Sequence, residues 1–238
     1  LGPEAASALF FRTLYGEDTE GAIRRFTQAT AVNLSQADKA LARLSHSPLA
    51  TEFGCRYPII QGGMACITDR SDFALAVALA GGLPTLALGI KNTSQLESEL
   101  GHLAETMAGR PYAVNIITLQ ENPYLQEQMA WLQKTKPPFV VISAGSPLLA
   151  AELQNQGQKV IYVTGDADLL YLAWKSGIRH VVCEGHEAGG HVGSHSTLTL
   201  AQIALELRRS HRQFAAHPIL LAGGIINAES TLRAAIIG

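Results

Sequence analysis

The chain has 238 residues, of which 47% are hydrophobic and 16% are charged, so a sizeable core is expected and intrinsic disorder is excluded. Lysine and arginine total 18 against 20 aspartate and glutamate, a formal charge of −2, and this balance predicts no binding to nucleic acid. No apolar run reaches the roughly 18 residues of a membrane span, so no membrane partner is expected.

The cysteines and the chain ends indicate the cellular setting. Cys55, Cys66 and Cys183 are odd in number and scattered, with no Cys-x-x-Cys pair, which predicts a reduced cytoplasmic protein without a disulfide framework or a cysteine-built zinc site. The first residue is Leu1, no basic and apolar leader follows it, and the sequence stops abruptly at Gly238. We therefore expect no signal peptide and a segment of a longer polypeptide.

The first fifth of the chain differs from the rest. Residues 5–14, 20–26 and 36–44 have helical patterns with polar breaks between them and no strand signal. We predict that residues 1–52 form a helical lead-in or linker and that residues 53–238 form the main domain.

From Tyr57 onward, short apolar runs alternate with amphipathic stretches. The runs are continuous and rich in β-branched residues, as in strands of a parallel sheet that is buried on both faces. The predicted strands are 58–61, 83–88, 111–117, 139–143, 159–164, 180–183 and 218–222. The predicted helices are 71–80, 93–107, 125–134, 147–155, 166–175, 198–209 and 228–236.

This alternation predicts an α/β fold of seven βα units. Open doubly wound sheets usually have about five or six strands, whereas a closed barrel has eight in about 250 residues. We therefore predict a TIM-type (β/α)8 barrel that lacks its eighth strand. A Rossmann sheet is the weaker alternative, because no Gly-x-Gly-x-x-Gly follows the first strand.

Glycine clusters follow three of the predicted strands. Gly62, Gly63 and Met64 follow the first strand, residues 184–193 follow the sixth, and residues 222–225 follow the seventh. Barrel enzymes have their active sites at this end of the strands, and the N–H groups of glycine turns bind phosphate. Three such clusters predict a cofactor that carries phosphate, although tight turns alone would explain any one of them.

Single side chains near these ends have both functional and structural interpretations. His191 is either a proton donor or acceptor or a loop histidine bonded to backbone. Asn115, inside an apolar strand, either pins a loop or binds the N–H and C=O pair of a heterocycle. Met64 packs either on a flat ring or in the core. His186 and His191 are five residues apart across Gly189 and Gly190, which does not fit a helical zinc motif, so no metal is expected.

Five segments resemble one known superfamily. They read Tyr-Pro-Ile-Ile-Gln-Gly-Gly-Met-Ala at 57–65, Ala-Gly-Gly-Leu at 80–83, Val-Asn-Ile at 114–116, Glu-Gly-His-Glu-Ala-Gly-Gly-His-Val-Gly at 184–193 and Ala-Gly-Gly-Ile at 222–225. Over residues 53–238 the chain resembles the nitronate monooxygenase and FMN-dependent enoyl-ACP reductase superfamily, which includes 2-nitropropane dioxygenase-like proteins. Residues 82–88 and 136–139, with the helical lead-in, resemble reductase-like domains of polyketide and polyunsaturated fatty acid synthases.

The resemblance implies an FMN-binding barrel and a set of site residues. The Gly62–Met64 loop and Glu184 would contact the isoalloxazine and ribityl parts, and Asn115 would bond or orient the flavin. The backbone for the ribityl and phosphate groups would come from two glycine pairs, Gly189 with Gly190 and Gly223 with Gly224. His191 aligns with the active-site histidine of the family, and no metal is implied.

The implied reaction is the reduction of an enoyl thioester. NAD(P)H would give a hydride to the flavin, which passes it to the β-carbon, while His191 positions the thioester carbonyl or supplies the α-proton. The substrate would be an acyl thioester, free or on an acyl carrier protein, and the protein a homodimer or a part of a multidomain synthase. The alternatives are a nitronate monooxygenase that uses O2 and a non-catalytic barrel module of a synthase.

One feature of the family lies beyond this sequence. The eighth strand of the family carries a Gly-Thr segment that completes the phosphate site, and residue 238 precedes it. An exposed sheet edge is therefore expected between the seventh and first strands, to be filled by further chain or by another segment.

Overall fold

A computed structural model describes residues 12–35, 39, 42, 44, 46–119, 121–190 and 193–237. Its helices are α1 (Thr19–Leu34), α2 (Pro48–Phe53), α3 (Ser71–Ala80), α4 (Thr93–Met107), α5 (Leu125–Thr135), α6 (Pro147–Asn155), α7 (Ala167–Lys175), α8 (Thr197–Ser210) and α9 (Ala228–Ile237), with a 3-10 turn at Arg212–Phe214. Its strands are β1 (Thr85–Ala87), β2 (Ala113–Ile117), β3 (Phe139–Ser143), β4 (Val160–Thr164), β5 (His180–Glu184) and β6 (Ile219–Ala222).

The six strands form one parallel sheet in which each strand pairs with the next along the chain. A doubly wound sheet reverses its strand order at a switch point, whereas a barrel keeps the chain order. The predicted α/β fold of barrel type is confirmed, and the Rossmann alternative is wrong. The sheet is not closed within the part of the chain that the structure describes.

The first predicted strand, 58–61, is shorter than expected. It forms a single parallel bridge between Ile60 and Leu83, with Gln61 N donating to Leu83 O at 2.9 Å and Leu83 N donating to Ile59 O at 2.8 Å. Pro58 has no N–H to continue the pairing, and a glycine pair follows Gln61, so little chain is left to extend the strand.

Most helix predictions agree with the structure to within about one residue, and 71–80, 93–107 and 147–155 match in full. α1 is longer than the predicted 20–26, because no glycine or proline occurs between Ala22 and Leu34 to end it. Residues 12–14 of the predicted 5–14 helix are helical, as is residue 15, and the rest of that segment and most of 36–44 lie outside the described residues.

The two faces of the sheet are buried in different ways. Residues such as Leu86, Val114 and Ile142 pack in one cluster with the helices that connect the strands. Their alternate neighbours form a second cluster, the inner core, which comprises Ile60, Leu83, Ala113, Phe139, Val141, Ile161, Val163, Val182 and Leu220, with Leu49, Phe53 and Cys55 on or just after α2.

The inner core shows that the sheet curls. The connecting helices α3 to α8 contribute to the first cluster. Among the helices that the structure describes, α2 is the one that contributes to the inner core. Seven residues of the inner core are nevertheless buried, including Leu83 before β1 and Leu220 in β6. A flat sheet would leave most of this face in water, so the face is buried by curving around its own side chains, as in a barrel.

Phe53 should contribute strongly to stability by packing at the amino-terminal end of the inner core. The side chain is 1% exposed, and its ring lies 5.4 Å from the Phe139 ring and 5.2 Å from the His180 ring. We expect Phe53→Ala to lower the free energy of unfolding by about 3–5 kcal/mol, measured by urea denaturation. Phe73→Ala, at a half-exposed site on α3, is the matched control, and equal losses in both variants would contradict this role.

The chain forms two compact units. One contains residues 1–44 and 225–238, including α1 and α9, and the other contains residues 45–224, including α2 and the whole sheet. The boundary predicted after residue 52 stays a prediction. Among the described residues, no helix combines the length and the apolar character needed to cross a membrane.

Candidate functional site

The loop after the Ile60 bridge is held over the carboxyl end of β1. Gln61 Oε1 accepts a hydrogen bond from Thr85 N at 3.0 Å. Thr68 Oγ1 accepts from Met64 N at 2.9 Å, and Thr68 O accepts from Ala87 N at 3.2 Å. Met64 is 43% exposed, which rules out its core interpretation and leaves the side chain accessible at the rim.

Gly63 lies directly against Asn115. A Cβ on Gly63 would be 2.8 Å from the Asn115 Cβ and 3.1 Å from its Oδ1, so this backbone approach requires glycine. Asn115 is 5% exposed and lies on the inner face of β2, two residues after Ala113 of the inner core. The first glycine loop and the predicted amide therefore meet at one place.

A second group of predicted residues meets where β5 and β6 end. Gly185 N donates to Ala222 O at 3.0 Å, and a Cβ on Gly223 would lie 2.6 Å from Thr197 Oγ1 and 3.1 Å from Gly185 O. Thr197 Oγ1 is also 2.9 Å from Ala222 O. The sixth and seventh predicted strands therefore end beside the first turn of α8.

Glu187 and Thr197 are site residues that the sequence did not predict. Glu187 Oε2 accepts from Thr197 N at 2.9 Å and lies 3.0 Å from Thr197 Oγ1. The hydrogen bond from the Thr197 backbone is the main cause that lowers the pKa of Glu187. Ser196 is the N-cap of α8, and Glu187 binds the N–H of the first helical residue beside it. The ten-residue separation of Glu187 and Thr197 has no local periodicity, so only the fold shows this contact.

The glycine pairs have backbone groups suited to an anion. Gly223 and Gly224 have φ of +101° and +70°, and Gly190 has φ of +90°. Within the described residues, the N–H groups of Gly223 and Gly224 donate no hydrogen bond. Two consecutive N–H groups without a partner at the carboxyl end of a late strand can both donate to an anion, so the pair fits a phosphate group.

Gly189 and Gly190 have free space beside them. A Cβ at either position would meet no atom of the described residues within 4 Å, and the same holds for Gly62. These three glycines are not required by packing against the chain itself. Their backbone is therefore open to a flat or extended ligand.

The segment around the predicted histidine is anchored at both ends. His186 N donates to His195 O at 2.9 Å, and the backbone of Gly193 packs against Gly165 at the end of β4. His191 itself lies outside the described residues. Its assignment to the site stays a prediction from the sequence.

Glu184 ends β5 on its inner face, two residues after Val182 of the inner core. The side chain is half-buried, and burial raises the pKa of its carboxyl group. In the described part of the chain the carboxylate accepts no hydrogen bond. Such a group holds its proton to higher pH than an exposed glutamate does, which suits contact with a ligand.

We expect the stability of the chain to fall with rising pH because of Glu184. A raised pKa in the folded state means that the folded chain binds this proton more tightly than the unfolded chain does. The free energy of unfolding therefore declines as the pH rises from the ordinary carboxyl pKa through the raised pKa. Glu184→Gln should remove this decline and be more stable than wild type at pH 7, but not at pH 4. Urea denaturation across this range tests it.

Glu187→Gln is the matched comparison, for which we expect the opposite change in stability at pH 7. The pKa of Glu187 is lowered, so its contribution is present above the ordinary carboxyl pKa and is lost as the pH falls. Glu187→Gln should therefore lose stability at pH 7. If both substitutions changed the free energy of unfolding at pH 7 in the same direction, the environments assigned to the two carboxyl groups would be wrong.

The predicted residues fall into two groups at one edge of the sheet. Gly63 and Asn115 meet at β2, while Glu184 and Gly223 lie at the ends of β5 and β6. The inner core below them joins residues from both ends of the sheet. Among the described residues, no group of three or more histidine, cysteine or acidic side chains could hold a metal ion.

Comparisons with known proteins agree with this geometry. The chain is 26% identical over 223 residues to a probable nitronate monooxygenase of Staphylococcus saprophyticus, covering 77% of this chain and 62% of that protein. It is 29% identical to the structure of FabK from Thermotoga maritima, with a TM-score of 0.67, covering 79% of this chain and 57% of that one. No protein-family profile matches the chain.

A third similarity concerns the fold alone. The enoyl reductase domain of MlnA, from the macrolactin biosynthesis cluster of Bacillus amyloliquefaciens, is 17% identical with a TM-score of 0.63, covering 82% of this chain and 54% of that one. The chain spans about three fifths of the length of the proteins it matches. The predicted resemblance is confirmed at the level of the superfamily.

Proposed function

We propose that the chain belongs to the superfamily of nitronate monooxygenases and FMN-dependent enoyl reductases and forms the FMN-binding part of a flavin-dependent oxidoreductase. The observation that carries the proposal is the glycine pair at Gly223 and Gly224. Its N–H groups are unused within the described residues, and it lies at the carboxyl edge of the strands. Phosphate sites of barrel enzymes occupy this position after late strands.

The other predicted residues support the proposal through their surroundings. Gly189 and Gly190 have room for the ribityl chain, and Gly62 and Met64 lie exposed after the Ile60 bridge at the same edge of the sheet. Glu187 already binds the first N–H of α8, so the phosphate would bind at the Gly223 and Gly224 pair and not at that helix. When bound, the flavin supplies the two-electron redox chemistry.

For the reaction, we propose reduction of an enoyl thioester with NAD(P)H. The similarity to FabK supports this substrate class. The Gln-Gly-Gly-Met-Ala sequence at 61–65 also resembles the enoyl-ACP reductase branch of the superfamily more than the nitronate branch. The apolar inner core excludes water from below the site, and His191 would orient the thioester carbonyl or deliver the α-proton. An acyl carrier protein is the proposed carrier of the substrate, with the protein acting as a homodimer or within a synthase.

A second candidate is nitronate oxidation with O2. The similarity to the probable nitronate monooxygenase of Staphylococcus saprophyticus supports it. The same flavin and histidine would serve this reaction, with the histidine taking a proton from the substrate. Three free cysteines support a reducing, cytoplasmic location for either enzyme, with Cys66 exposed and Cys183 buried.

The decisive experiment uses the protein purified with its flavin. Absorbance in the visible range measures bound FMN. Enoyl reduction is measured as NADPH oxidation with a trans-2-enoyl thioester in the absence of O2. Nitronate oxidation is measured as O2 uptake with an alkyl nitronate. We expect flavin and NADPH oxidation. Flavin with O2 uptake alone would favour the nitronate reaction, and no flavin at all would leave a non-catalytic barrel module.

A further inference from the structure

Thr197, the first residue of α8, links the end of β6 to the loop that follows β5. Its Oγ1 lies 2.9 Å from Ala222 O, 3.1 Å from Gly223 O and 3.0 Å from Glu187 Oε2. A hydroxyl has one proton to donate, and these three acceptor oxygens share it. The last two carbonyl groups before Gly224 are therefore turned towards a single side-chain atom.

These contacts decide the direction of two N–H groups. The carbonyl of one residue and the N–H of the next belong to one planar peptide, and in the trans form they point in opposite directions. The described peptides are all trans. With Ala222 O and Gly223 O held by Thr197, the N–H groups of Gly223 and Gly224 both point away from this side chain. On that side they donate to none of the described residues.

The second of these peptides depends on Thr197 more than the first. Ala222 O also accepts from Gly185 N at 3.0 Å, so the pairing of β5 with β6 holds the first peptide even without the hydroxyl. Within the described residues, Gly223 O accepts from Thr197 alone. The φ angles of +101° and +70° show that the glycine pair uses backbone freedom that other residues lack. Without the hydroxyl, the N–H of Gly224 would therefore lose its fixed direction.

The Thr197 side chain is itself held in place. A Cβ on Gly223 would lie 2.6 Å from Thr197 Oγ1, and a Cβ on Gly185 would lie 2.2 Å from it, so the hydroxyl fills a space between two glycines. Glu187 Oε2 accepts from Thr197 N at 2.9 Å and fixes the backbone. A group that orients others must be immobile in this way.

We propose that Thr197 is a positioning residue of the phosphate site, which it serves by aiming the N–H groups of Gly223 and Gly224 at the phosphate of the flavin nucleotide. Thr197 acts through the two peptides and does not touch the phosphate. Donors that already point at an anion bind it more tightly than donors that must first be ordered. This inference rests on the proposed function and deepens it, since it names the residue that orients the donors of that site.

The test compares FMN with riboflavin, which is the same flavin without the phosphate. Dissociation constants come from quenching of flavin fluorescence on the protein freed of its cofactor, and the ratio of the riboflavin constant to the FMN constant measures the contribution of the phosphate. In wild type this ratio should be at least about a hundred, as two hydrogen bonds to a charged group predict. Thr197→Val should lower the ratio about tenfold, while the riboflavin constant changes less than about twofold. Thr197→Ser, which keeps the hydroxyl, should keep the ratio of wild type.

Thr199→Val is the matched control. Thr199 is a buried threonine of the same helix, and its Oγ1 lies 2.9 Å from Ser196 Oγ at the N-cap and not at the glycine pair. This variant should keep the ratio of wild type.

Equal ratios in wild type and Thr197→Val would overturn the inference while the proposed function stands. An equal loss of affinity for both ligands in Thr197→Val would also overturn it, because Thr197 would then support the fold and not the phosphate site. A wild-type ratio near one would contradict our placement of the phosphate and the inference with it. If wild type bound neither flavin, the proposed cofactor would be wrong.

Discussion

Replacing His191 by alanine should lower turnover by a factor of about 10²–10⁴ while the flavin stays bound. A positioned acid or base accelerates its step by roughly this amount. We expect the flavin to stay bound because the backbone of the glycine turns would hold it, and this backbone is unchanged in the variant. The measurement is the steady-state rate of NADPH oxidation with an enoyl thioester, together with the flavin content from the visible spectrum.

His186→Ala is the control for this prediction. His186 is an exposed histidine five residues earlier in the same loop, bonded through its backbone to His195. Its side chain has no assigned role, so the rate should change less than about twofold. Unchanged turnover in His191→Ala would remove His191 from the mechanism, and loss of flavin would make it a binding residue.

Replacing Gly189 by valine should abolish flavin binding in a protein that still folds. A Cβ at this position meets no atom of the described residues within 4 Å, so the chain can accept the side chain. The branched side chain would instead fill the space that we assign to the ribityl chain. We expect a flavin content below about a tenth of wild type and an unchanged midpoint of apo-protein unfolding in urea.

Gly101→Val is its matched control, because a Cβ on Gly101 in α4 also meets no atom within 4 Å. This variant should bind flavin normally. Gly223→Val would be less informative, since its side chain would collide with Thr197 Oγ1 and its φ is +101°, so fold and cofactor would be lost together. Normal flavin content in Gly189→Val would undo our placement of the cofactor.

The sequence predicted the strands that have a strong local signal. β3 has the predicted bounds, and five further strands lie within or overlap their predicted segments, because continuous β-branched runs between turns can be recognised without tertiary contacts. The first predicted strand was overestimated. Its length depends on pairing with Leu83, and Pro58 limits that pairing whatever the apolar pattern is.

Some residues of the candidate site could likewise be predicted from the sequence, and others could not. Gly62, Gly63, Gly223 and Gly224 could be found from the sequence, because glycine pairs after apolar runs mark turns that other residues avoid. Glu187 and Thr197 could not be found, since each acts through a partner outside its own element. Thr197 in α8, for example, bonds to Ala222 O at the end of β6.

The sequence by itself determined the order of βα units and the positions of the glycine turns, because periodicity and backbone freedom are properties of short segments. The tertiary structure alone decided that Gly63 lies against Asn115, that Glu184 lies half-buried on the inner face, and that Glu187 binds the first N–H of α8. These properties depend on the curvature of the sheet, which buries one face around its own side chains and brings groups from different strands within hydrogen-bond distance.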